Sequence, residues 1–81
     1  MRQITFNELP LTDKALLVAE FGCFIESIDF YDYHIHLFAL NSNFIEVYYN
    51  RLTRQVEKIS LAYYNDLDKY LSRITLRNLK T

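Results

Sequence analysis

The stretch CFIESIDFYDYHIHLFALNSNFIEVYYNRLTRQVEKISL, residues 23–61, decides the fold. Apolar and polar residues alternate along it in short runs, and turn-forming clusters separate the runs. A period of two is the mark of strands with one face buried. Four strands are expected: Cys23–Asp29, Tyr33–Leu40, Phe44–Asn50 and Gln55–Leu61. The breaks are Phe30-Tyr31-Asp32, Asn41-Ser42-Asn43 and Arg51-Leu52-Thr53-Arg54. Breaks this short join neighbouring strands as hairpins and leave no room for crossovers. The expected sheet is an antiparallel meander.

Helices are signalled on both sides of this stretch. Upstream, Thr12 is an N-cap residue, Asp13 sits where the helix dipole favours a carboxylate, and Gly22 suits a left-handed C′ position. Leu16, Leu17, Ala19 and Phe21 give that helix an apolar side. Downstream, a helix is expected from Asp66 to Leu79 with Asn65 as its cap. Leu67, Tyr70, Leu71 and Ile74 recur there at helical spacing. The reading is one α+β domain over residues 1–81, built in two layers in the order α-β-β-β-β-α, with both helices on one face of the sheet.

Register decides which side chains share a face, because a slip of one residue exchanges the faces. With Asn41-Ser42-Asn43 as a three-residue loop, Leu40 opposes Phe44, Phe38 opposes Glu46 and His36 opposes Tyr48. The other face then pairs Ala39 with Ile45, Leu37 with Val47 and Ile35 with Tyr49, an aliphatic set suited to lie under the helices. The first face is left without a helix. It holds Phe24, His34, His36, Phe38, Phe44, Glu46 and Tyr48, and it is too apolar to stand fully in water. These seven residues form the expected interface.

Composition agrees with an interaction role. Half of the 81 residues are apolar, and seven Tyr and six Phe exceed what so small a core can hold. Net charge is −1, but residues 1–50 carry two bases against seven acids, while residues 51–81 carry seven bases against three acids. Such asymmetry suits self-association or an acidic partner. A single cysteine, Cys23, excludes an internal disulfide and a thiolate zinc cage. The first eleven residues lack the apolar run of a signal peptide, and no apolar stretch approaches the roughly 20 residues that span a bilayer. A soluble cytoplasmic protein is expected, with no membrane partner.

Three constellations bear on chemistry. The His34-Ile35-His36 spacing, two imidazoles on one strand face with Glu46 in diagonal reach, has the donor types of a zinc or non-haem iron site. The same residues equally form an ordinary hydrogen-bonded polar pair, and no metal or other cofactor is assigned. Lys69, Arg73 and Arg77 succeed one another at four-residue steps, as in a helix that meets nucleic acid. A solvated helix face has the same pattern, and the net charge speaks against nucleic acid. Tyr48-Tyr49 and Tyr63-Tyr64 resemble stacking platforms, but adjacent strand residues face opposite ways. No nucleophile–base order is visible, and one glycine cannot build a phosphate-binding loop, so catalysis has no positive support. The expected function is protein–protein interaction: a homodimer through the helix-free face, or a complex with another protein.

Overall fold

A computed structural model of the protein describes residues 5–70. After a short 3₁₀ turn at Phe6–Glu8 come α1 (Leu11–Phe21), β1 (Cys23–Phe30), β2 (Tyr33–Leu40), β3 (Asn43–Asn50) and β4 (Gln55–Ala62). A second 3₁₀ turn, Tyr64–Leu67, leads into helical residues 68–70. The strands form one antiparallel sheet in the order β1-β2-β3-β4. The meander and the α+β class follow the sequence reading; the expected helix over residues 66–79 lies beyond Tyr70 for most of its length, outside the described residues.

The register differs from expectation. Leu40 pairs with Asn43, so Asn41-Ser42 is a two-residue turn, and Asn41 takes a left-handed φ of 56°. Asparagine tolerates that conformation at the first turn position, which lets the hairpin close one residue earlier. The first hairpin is equally tight: Phe30 pairs with Tyr33, and Tyr31 has φ 56°. The third loop has the expected length. Asn50 Oδ1 accepts from the Leu52 and Thr53 amides at 2.8 and 3.2 Å, and the left-handed Arg54 (φ 61°) returns its N–H to Asn50 O at 2.7 Å.

Shifting the turn by one residue mixes the two expected faces. One now holds His34, His36, Phe38 and Leu40 of β2 with Ile45, Val47 and Tyr49 of β3; the other holds Tyr33, Ile35, Leu37 and Ala39 with Phe44, Glu46, Tyr48 and Asn50. A bulge at Ile25 turns Phe24 to the first face while Glu26 and Ile28 lie on the second.

Each face has its own core. Val18 of α1 packs with Leu40, Ile45 and Ile59, supported by Phe6, Phe38, Val47 and Leu61. On the opposite side Tyr70 packs with Ile28, Ile35 and Leu37, supported by Tyr33, Tyr48, Ala62 and Leu67. The expected arrangement with both helices on one face is therefore corrected. The tighter turn gives each face its own aliphatic residues, so each needs a cover, and α1 and the segment through Tyr70 take opposite sides.

The boundaries of α1 also differ from the sequence reading. Its cap is Pro10, two residues before Thr12, and Pro10 O accepts the Lys14 amide at 3.0 Å. The proline is extended (φ −60°, ψ 155°), a cap conformation its ring favours. Gly22 is also extended, at φ −79°, and needs no left-handed freedom. Space explains it: a Cβ there would lie 2.6 Å from Val18 O, the carbonyl that accepts the Gly22 amide at 2.9 Å.

Candidate functional site

The face closed by Tyr70 is organised around Glu46, which is 2% exposed. A buried carboxylate requires donors, since leaving it unpaired costs several kcal/mol. Tyr70 Oη donates to Oε2 at 2.8 Å, Tyr48 Oη donates to Oε1 at 3.3 Å, and Lys69 Nζ lies 2.6 Å from Oε2. Burial, then Glu46, pushes the Tyr48 hydroxyl up to about 12, and the same causes push Tyr70 higher. Both phenols remain neutral donors across the physiological range. Lys69 also donates to Asp66 O at 3.0 Å and lies over the Phe30 and Tyr70 rings. Every buried side-chain nitrogen and oxygen among the described residues has a hydrogen-bond partner. This face is a closed polar latch.

The α1 face is closed over only part of its area. On one side of α1, Phe6, Leu17, Phe21, Leu40 and Leu61 line a depression of about 410 Å³. On the other side a groove of about 380 Å³ runs between α1 and the sheet. Phe38, Val47, Ile59 and His36 contribute from the sheet, Phe24 and Val56 from the edge strands, and Ala15, Val18, Ala19 and Gly22 from the α1 side. Beyond the groove His34 and His36 meet ring to ring, centroids 4.8 Å apart at 80°, and Phe24 lies 6.0 Å from His36. Asp29, paired with His34 across β1 and β2, accepts from its Nδ1 at 2.5 Å. Partial burial and the neighbouring His34 lower the pKa of His36 from its ordinary value.

The seven residues of the expected interface are thus divided. Phe24, His34, His36 and Phe38 share the α1 face, and the groove takes in all of them but His34. Phe44, Glu46 and Tyr48 lie on the opposite face. The metal grouping His34, His36 and Glu46 is separated by the sheet itself, because Glu46 pairs across from Leu37 and not from a histidine's face. Among the described residues no three His, Cys, Asp or Glu side chains are arranged to hold a metal ion. Lys69 does not stand free in solvent, since its side chain is only 20% exposed and is engaged by Glu46. Arg73 and Arg77 lie outside the described residues.

Two features escaped the sequence reading. Glu46 lies between Ile45 and Val47, a carboxylate inside an apolar strand, and the adjacent Lys69-Tyr70 supplies its donors. The groove wall made by Ala15 and Ala19 was hidden because small residues on a short helix have no distinctive pattern. No protein-family model, curated protein or solved structure matches this chain.

Proposed function

We propose that the protein is a small interaction domain that pairs with a second copy of itself through the open part of the α1 face. The groove beside α1 carries this reading. Phe24 and Val56 on its walls are 57% and 39% exposed, and Leu16 on the neighbouring turn of α1 is 60% exposed. Apolar surface gathered in this way on a small domain marks an interaction site.

A second copy fits better than an unrelated chain because the surface complements itself. The helix is a ridge and the groove beside it a depression, so a two-fold axis along their border seats each ridge in the other copy's groove. Ala15 and Ala19, one turn apart on the groove side, let two antiparallel helices approach closely. Charge supports the same pairing. The solvent side of α1 bears Asp13 and Glu20, whereas the β3–β4 loop at the far end of the open area bears exposed Arg51 and Arg54. Pairing by sheet edges is less favourable, since β1 and β4 each contain a bulge, at Ile25 and Glu57. A cytoplasmic location fits the single, exposed Cys23.

Sedimentation tests the proposal. Wild type should sediment as a dimer at high micromolar concentration, and Leu16→Glu and Phe24→Lys should each give a monomer with an unchanged circular dichroism spectrum. A wild-type monomer at about 1 mM, where even interfaces below standard size populate dimers, would overturn it.

A further inference from the structure

The histidine pair is not explained by packing alone: an imidazole occupies the floor of an apolar groove where an aliphatic side chain would pack as well. We infer that pairing through the groove is gated by protons, with His36 neutral in the dimer and its protonation forcing the two copies apart. This rests on the dimer reading above.

Among the described residues, the side chains packed around His36 carry no compensating negative charge. On its own strand the neighbours on that face are His34 and Phe38; across β1 lies Ser27 and across β3 lies Val47. The Phe24 ring is the other close aromatic. From α1 the groove receives Ala15, Val18 and Ala19, then Gly22 just beyond its end, none of them ionisable. Asp29 accepts from His34 Nδ1 through one oxygen and lies 4.0 Å from Arg51 Nη1 through the other, so these contacts direct its carboxylate to His34 and Arg51. Two imidazoles with centroids 4.8 Å apart repel when both are charged. Placing a second copy's apolar ridge over His36 removes water from it and raises that cost further.

The sign of the linkage is fixed by this geometry. Burial and His34 already lower the His36 pKa in the single chain. Covering the ring in the dimer lowers it again, so the dimer holds fewer protons than two separate chains. Association is then strongest above the pH at which the separate chain's His36 titrates and weakens as pH falls through it. With one His36 from each copy, the dissociation constant can rise by up to about 100-fold per pH unit in that window.

Sedimentation equilibrium of the full chain at about pH 7.5 and about pH 5 tests the gate. The wild-type dissociation constant should rise at least roughly tenfold towards low pH. His36→Gln should dimerise with a constant that changes less than about twofold, while His34→Gln keeps most of the dependence. A wild-type dimer indifferent to pH, or a His36→Gln dimer with the full wild-type dependence, would overturn the gate and leave the dimer standing. A wild-type monomer at neutral pH would overturn the dimer and the gate together. Should His36→Gln fail to fold, proton NMR of the wild-type His36 ring decides: its titration must move to lower pH as protein concentration rises, and a concentration-independent midpoint refutes the gate.

Discussion

The two faces of the sheet solve the problem of covering apolar strands in opposite ways. On one face the segment through Tyr70 seals Ile28, Ile35 and Leu37, and the buried charge of Glu46 is satisfied by two phenols and an ammonium group. On the other face α1 covers Leu40, Ile45 and Ile59 but leaves the histidine end open, with Phe24 and Val56 partly in water. The contrast separates a face closed by its own chain from one that keeps apolar side chains exposed. A buried carboxylate with three donors fixes one arrangement of the chain, whereas the apolar groove with one imidazole stays open and, in the dimer proposed above, would be covered by the second copy.

The largest effect that separates the faces should come from Glu46→Ala. Removing one member of a buried ionic network takes the shared carboxylate from Lys69, Tyr48 and Tyr70, leaving Lys69 only the Asp66 carbonyl among these contacts, and should cost about 3 kcal/mol. His36→Gln on the half-exposed side should cost less than about 1 kcal/mol. Urea unfolding of both variants measures the difference, and equal costs would break the comparison.

Alkali should attack the sealed face first. Tyr48 and Tyr70 have pKa values raised in the folded chain, about 12 for Tyr48, above the unfolded value near 10. A group raised in this way binds its proton more tightly when folded. Its stabilisation is complete below about pH 10 and is lost as pH climbs from there towards 12 and beyond. The urea midpoint should fall over that range, and the double variant Tyr48→Phe, Tyr70→Phe should flatten the fall. A smaller effect of opposite sign is expected at a position that belongs to neither face. Arg54→Gly relieves a left-handed backbone in the β3–β4 loop and should stabilise the fold by up to about 1 kcal/mol, which urea unfolding at a concentration where the chain is monomeric measures.

Much of the fold was legible in residues 23–61. Alternation located the four strands, and short polar breaks gave the meander, because both depend on local chemistry. Register was not legible. Asn43 reads equally as the last loop residue or the first strand residue, and the choice rests on whether Asn41 turns left-handed, which composition does not state. That single residue moved Phe44, Glu46 and Tyr48 to the opposite face from His34, His36 and Phe38. The bulge at Ile25 then returned Phe24 to the side of the histidines, so four of the seven expected interface residues still share one face. Glu46 was seen as a possible ligand. Its placement between Ile45 and Val47 was the unused signal, because a charge in such a strand must find buried donors.

The most direct test of one open and one sealed face is methyl NMR of the wild-type chain over a concentration series at neutral pH. Resonances of Leu16, Ala19 and Val56 should shift or broaden as concentration rises from about 20 μM to about 1 mM, spanning the dissociation constants expected of a modest interface. Those of Ile35 and Leu37, beneath Tyr70, should stay fixed. Fixed resonances on both faces, or movement confined to Ile35 and Leu37, would contradict the account.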